Sequence, residues 1–166
     1  MKQEVMDAGK LAERLGMSPQ EEGGMVKENH YPFAGPGRAE SGQSYYYFKP
    51  NTPTTFHTLD CDEYWVYHAG ANLEAWLIDP DGNLDIRQFG ALDGAELCIY
   101  LKKGTAFAAK PVDPSSSGTL ISAITVPRFS QQGFHLLDRE QVTAMCPAAK
   151  AFFENDGCKE KLKSKR

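Results

Sequence analysis

Paired cysteines are missing from this chain. Cys61, Cys98, Cys146 and Cys158 show no C-x-x-C spacing, which argues against a zinc ribbon or a disulfide framework and for reduced thiols. Long apolar runs are missing too: none approaches the roughly 20 residues that span a bilayer. The first ten residues, M-K-Q-E-V-M-D-A-G-K, lack the apolar core of a signal peptide. Excess positive charge is absent, the formal net charge being −4, so there is no footprint for nucleic acid. The basic residues that do cluster are Lys159, Lys161, Lys163, Lys165 and Arg166, in a tail that reads as a solvated end. No internal repeat is visible. A cytoplasmic protein without membrane or nucleic-acid partners is the expectation.

What is present is enough for one full domain. The chain has 166 residues with 41% hydrophobic side chains, sufficient for a single core. Val5 to Leu15 reads as a short helix stopped by Gly16. Met25–Tyr31, Ser44–Phe48, Asn72–Ile78, Leu84–Phe89, Leu97–Leu101, Thr105–Ala109 and Thr119–Val126 read as strands, with turn residues between them. Asp79-Pro80-Asp81-Gly82 is a strong turn signal and predicts a hairpin between two of these strands. Pro111 to Gly118 reads as a polar surface loop, and Asp138 to Phe153 holds a short helix. Many short strands with helices only at the ends predict an all-β sandwich or barrel.

The stretch from Phe56 to Gly70, F-H-T-L-D-C-D-E-Y-W-V-Y-H-A-G, carries the densest chemistry. A strand bearing His57, a tight acidic turn and a strand opening with Glu63 bring two ionisable side chains together. The spacing resembles the first motif of the cupin superfamily. His57 stands at the first histidine place, Leu59 at the second, Glu63 at the glutamate place and Gly70 at the glycine place.

An ordered set of further pieces resembles one subfamily, cupin family 5, from about residue 12 to residue 141. The pieces are Leu15-Gly16-Met17, Glu22-Gly23-Gly24, Glu28, Arg38, Tyr45-Tyr46, Asp62-Glu63-Tyr64-Trp65, Asp79-Pro80-Asp81-Gly82, Gly104-Thr105, Phe107-Ala108-Ala109 and Thr125-Val126-Pro127-Arg128-Phe129. The resemblance implies a double-stranded β-helix, the cupin jelly-roll barrel, with its core over about 20–137 and a terminal helix and tail over 138–166. It also implies a central pocket and a homodimer. The chain departs from the subfamily at Met25, Val26, Lys27, Val66, Lys102, Lys103, Ala106 and Arg128, which points to a reshaped pocket. Ala106, where tryptophan is usual, would enlarge that pocket if its side chain reached it.

A metal-dependent cupin holds its ion with about three histidines and one glutamate. Two of those places here are Leu59 and Phe107, so the expectation is a pocket with no metal and no cofactor. His68 lies five residues after Glu63 and points to the opposite face in a regular strand. Alternation from Glu63 puts Trp65 and Tyr67 on its face. Tyr45 and Tyr47 are assigned to the inner face of their strand and Tyr46 to the outer, while Phe107 lines the floor.

These residues predict a site with His57 as general base, oriented by Glu63, and Glu28 and Tyr47 as secondary acids. Tyr45, Trp65, Tyr67, Phe107 and Arg38 are the expected substrate contacts. Such a pair suits proton transfer beside a carbonyl: isomerase or epimerase, cyclase or lyase chemistry on a small molecule. Two alternatives stand beside it. One is a cupin that binds a carbohydrate or metabolite without catalysis. The other is a metal-dependent oxygenase or isomerase with an incomplete ligand set. The plain structural reading of His57 is a satisfied core histidine bonded to Glu63.

Overall fold

A computed structural model describes residues 7–32, 35–113 and 116–154. The basic tail and the expected start of the first helix at Val5 lie outside the described residues. Helix α1 (Ala8–Leu15) begins with Asp7, whose side chain accepts from Lys10 N at 3.0 Å, and ends at Gly16 in the left-handed region. The aspartate satisfies an otherwise orphaned helix N–H, and glycine takes the left-handed turn without steric cost.

Among the described residues, eleven strands form two sheets. They are β1 (Ser18–Pro19), β2 (Met25–His30), β3 (Gly42–Phe48), β4 (His57–Thr58), β5 (Asp62–Gly70), β6 (Leu73–Ile78), β7 (Leu84–Phe89), β8 (Cys98–Leu101), β9 (Ala106–Pro111), β10 (Thr119–Val126) and β11 (His135–Leu136). One sheet has the order β1-β2-β3-β10-β5-β8, the other β11-β4-β9-β6-β7. All named pairings are antiparallel. The expected hairpin forms: Leu73 pairs with Phe89 and Ile78 with Leu84. Its turn is held by Asp79, whose Oδ1 accepts from Asp81 N and Asn83 N at 2.9 and 2.8 Å.

The inner faces of the sheets enclose the main core, with Phe48, Trp65, Leu73, Phe89, Ile99, Leu101, Phe107 and Ile121. Burying each large side chain is worth roughly 1.5–3 kcal/mol. Two smaller clusters cover the outer faces. Helix α1 packs Ala8 and Ala12 against Tyr47 and Leu120 of the six-stranded sheet. Helices α2 (Arg139–Met145) and α3 (Lys150–Glu154) supply Val142 and Phe152, which pack with Phe56, Trp76 and the alanines of β9.

Strand β9 is therefore buried on both sides. Its Phe107 and Ala109 join the main core, while Ala106 and Ala108 face the helices. Ala106 accordingly does not enlarge the pocket. The small side chain serves instead to let the helical layer approach the sheet.

Strand β3 carries the other correction. Tyr46 pairs with Ile121 and belongs to the main core, whereas Tyr47, opposite Leu120, lies in the cluster under α1. The inner tyrosine is thus Tyr46, not Tyr45 or Tyr47. Three consecutive tyrosines carry no alternation of their own, so pairing with the neighbouring strands β2 and β10 sets which one points inward.

Candidate functional site

The cavity between the sheets has a volume of about 140 Å³. The six-stranded sheet builds one wall from rows of cross-strand neighbours. Glu28 sits beside Ser44, Ser44 beside Ala123, Ala123 beside Trp65, and Thr125 beside Glu63. Side chains of alternate residues share a face, so Glu63 and Trp65 enter together, and both line the cavity. His57, Leu59, Phe107 and Phe134 close the other side. The His57 ring stands 4.2 Å from Phe107 and 5.2 Å from Phe134 between centroids.

A turn between β1 and β2 brings in a residue that sequence reasoning passed over as a site group. Glu22 is 7% exposed and lines the cavity. Its backbone carbonyl accepts from Thr55 N at 2.7 Å, and Gln20 N donates to Gly24 O at 2.9 Å. Gly24 is needed for what lies across from it. A Cβ there would sit well inside van der Waals contact of the Tyr46 ring and hydroxyl. The signal available in the sequence was the Glu-Gly-Gly run followed by an aromatic triplet, but nothing local says that the two meet.

Thr55 ties the two halves of the site. Its N–H holds the Glu22 backbone, and its carbonyl accepts from His57 Nδ1 at 2.9 Å. Since the partner is a carbonyl, Nδ1 carries the proton and Nε2 is the free, basic nitrogen. The histidine is therefore oriented by Thr55 rather than by Glu63. Burial pushes its pKa down to about 4, and the Thr55 bond opposes this only in part.

Glu63 moves the other way. Burial raises its pKa to about 8, the Trp65 side chain pulls against the rise, and Glu22 adds to it. Burial raises Glu22 also, with Tyr46 acting against the shift. Burial, and then the two glutamates, hold the Tyr46 hydroxyl firmly in its protonated form. Glu22 Oε2, Glu63 Oε2 and Tyr46 Oη are all buried without a well-formed hydrogen bond, although the Tyr46 hydroxyl lies close enough to Glu22 for the two to interact. Glu63 Oε2 is the most isolated of them, and an unmade buried hydrogen bond forfeits about 1–3 kcal/mol.

The other expected contacts divide. Glu28 lines the cavity, but its carboxylate is held by Arg128 at 3.0 and 2.6 Å and is 41% exposed. Arg128 also lies 3.6 Å over the Tyr31 ring. Tyr47 does not line the cavity; its hydroxyl donates to Ser117 O at 2.6 Å. Tyr45 packs beside His68 on the outer face. Tyr67 touches the core, with its hydroxyl donating to Gly70 O at 2.7 Å, but is not a lining residue. Arg38 is bidentate to Asp60 at 2.9 and 2.8 Å and donates to Arg128 O, away from the cavity. Cys61 is a buried thiol pushed up to about 12 by burial and by Glu63.

The residues present do not fit a cupin metal. Of the histidines, His57 alone lines the cavity, while His68 is turned outward to Ser122 Oγ at 2.6 Å. Leu59 and Phe107 bring carbon where donors are needed. Among the described residues, no three His, Cys, Asp or Glu side chains converge as a metal site. No helix among them is long and apolar enough to cross a membrane.

Comparison with solved structures gives the same architecture. SO0799 from Shewanella oneidensis superposes with a TM-score of 0.80 at 26% identity, over 90% of this chain and 96% of that one. A hypothetical protein from Leishmania major gives 0.78 at 24% identity, over 90% and 98%. Oxalate decarboxylase from Bacillus subtilis gives 0.57 at 16% identity, over 76% of this chain and 33% of that one, a likeness of fold alone. No curated protein matches the chain significantly. The family model described as Cupin superfamily (DUF985) matches residues 9–137, and the chain belongs to that family.

Proposed function

We propose that this cupin is a small-molecule enzyme that moves a proton beside a carbonyl without a metal, in isomerase, cyclase or lyase chemistry. The observation that carries the reading is the unpaired Glu63 carboxyl in an aromatic cavity, opposite a neutral His57. An acid with a pKa near the working pH is well matched to proton transfer. In the forward step His57 Nε2 accepts the proton from the carbon next to the carbonyl. The C–H electron pair becomes the C=C bond of an enol as Glu63 protonates the carbonyl oxygen. Return of the proton to another face or position, with the enol proton going back to Glu63, completes an isomerisation. In an elimination the enol proton likewise returns to Glu63 as the C–X bond to the β-substituent breaks, and the departing group takes the proton held by His57.

The test uses a panel of small cyclic ketones incubated with the protein in deuterium oxide. Mass spectrometry should find deuterium at the carbon beside the carbonyl, with Glu63→Gln lowering the rate by about a hundredfold or more. Full activity in a folded Glu63→Gln protein would sink the mechanism.

A second reading is favoured by one observation. A histidine with a pKa of about 4 is a weak base, and the same cavity would serve a binding protein without catalysis. That reading requires a melting temperature that climbs with ligand concentration and no product. The proposal includes a homodimer and an intracellular setting; sedimentation velocity giving a monomer at micromolar concentration would remove the dimer from it.

A further inference from the structure

We infer that the cavity is built for one uncharged oxygenated ring, whose hydroxyl or carbonyl oxygens are held by Glu22, Tyr46 and Glu63. The inference names the substrate class of the site above and rests on that reading of it.

Three observations point this way. First, Glu22, Tyr46 and Glu63 are 7, 9 and 8% exposed, and each presents to the cavity a polar atom without a well-formed hydrogen bond, Glu22 and Tyr46 lying beside one another and Glu63 alone. Buried polar atoms are almost always paired, so this under-satisfied trio marks where a ligand's polar atoms belong. Second, a volume of about 140 Å³ is close to the ~150 Å³ apolar cavity that accommodates benzene. One six-membered ring fits. Third, Trp65, Phe107 and Phe134 line the cavity with aromatic rings, Trp65 and Phe107 held edge to face by each other at 76°, so that a ring entering between them meets preset aromatic surfaces.

Charge narrows the class. No lysine or arginine lines the cavity, and its histidine is kept neutral by burial. A carboxylate or phosphate would enter without a counter-charge. Glu28 also lines the cavity, but Arg128 already holds its carboxylate; a cation deeper inside would require Glu63 to ionise, and burial holds that group in its acid form at neutral pH. In the acid form Glu63 offers an O–H to a carbonyl and a C=O to a hydroxyl. Ser44, Thr54 and Thr125 add only neutral groups. Glu22 and Tyr46 thus stand as binding residues that the cupin motif does not contain.

The experiment is calorimetric titration of the full chain with rings of similar size and different charge: resorcinol, maltol, benzoate and benzylamine. Resorcinol and maltol should bind saturably, and the two ions at least tenfold more weakly. Tyr46→Phe and Glu22→Leu should each weaken resorcinol by about five- to tenfold, the worth of one neutral hydrogen bond. The same variants should leave the free protein's melting temperature unchanged or higher, because each removes an under-satisfied buried polar group. Should Glu22→Leu not fold, Glu22→Gln keeps shape and hydrogen bonding and should retain binding.

Tightest binding by benzylamine with proton release would overturn the inference, and so would no saturable binding by any of the rings. Variants that lower the melting temperature without changing affinity would show a structural role instead. Resorcinol binding without deuterium exchange into any ketone would remove the catalytic reading and leave this one standing. Exchange with no preference for the uncharged rings would do the reverse.

Discussion

His57 leans on Thr55: its Nδ1–H meets the Thr55 carbonyl at 2.9 Å, two residues back along its own chain. That bond fixes the tautomer, leaving Nε2 as the acceptor. In nitrogen-15 correlation spectra His57 should show a protonated Nδ1 and a bare Nε2 throughout the neutral range. Its titration should come near 4, well below the ordinary 6.5. A midpoint at the ordinary value would mean that the ring is not buried as described.

Stability should respond to pH through two opposed groups. Glu63 rises from 4.5 to about 8 on folding, so its contribution is complete below 4.5 and lost as pH climbs through 8. His57 falls from 6.5 to about 4, so its contribution is complete above 6.5 and lost as pH drops toward 4. Between 6.5 and 8 only Glu63 acts of the two. Denaturant unfolding should therefore show stability falling with pH there, by at most about 1.4 kcal/mol per unit. Glu63→Gln should flatten that limb, and an unchanged slope in the variant would refute the assignment.

Gly24→Ala should destabilise the protein by about 1–3 kcal/mol, the usual cost of forcing extra volume into a packed site. The added methyl collides with the Tyr46 ring as well as its hydroxyl, so Tyr46→Phe should not rescue it. Chemical denaturation of the single and double variants checks both statements.

Arg128 holds Glu28 from an exposed position. Arg128→Ala should cost under ~1 kcal/mol, as partly exposed ion pairs do. It should also free a carboxylate at the rim of the cavity. A larger loss of stability would show that the stacking of Arg128 on Tyr31 matters more than the ion pair.

Elemental analysis of protein purified without chelator should find transition metal well below one ion per chain. Leu59→His with Phe107→His should reverse this, because both positions line the cavity with His57 and Glu63 and would complete a cupin donor set. Near-stoichiometric metal in the unaltered protein would overturn the donor argument.

Much of the fold was legible before the structure. The Asp79–Gly82 turn, the β10 strand and the stop at Gly16 all follow from local turn chemistry and alternation. The inward Glu63 and Trp65 follow from period-2 alternation, and Phe107 from the motif spacing. What stayed hidden depends on partners distant in sequence. Tyr45-Tyr46-Tyr47 has no internal contrast, so its parity is set by its two neighbours, β2 and β10, the latter more than 70 positions onward. Tyr67 shares the face of Trp65 but lies beyond the reach of the cavity. Glu22 stands in the sequence only as part of the Glu-Gly-Gly piece, and the turn's backbone bonds, among them the one to Thr55, place it inside. Arg38 and Glu28 look free in sequence because their partners, Asp60 and Arg128, give no sign of it.

The turn from Gln20 to Gly24 has a consequence for how such sites diversify. Phe107, the aromatic floor, belongs to a strand with both faces covered, where any change is felt through the core. Glu22, by contrast, arrives on a short edge segment anchored mainly through its backbone. Exchanging the Glu22 side chain alters the polar equipment of the cavity while the strands beneath keep their packing. That one wall of the cavity can therefore change chemically without a change in the barrel that carries it.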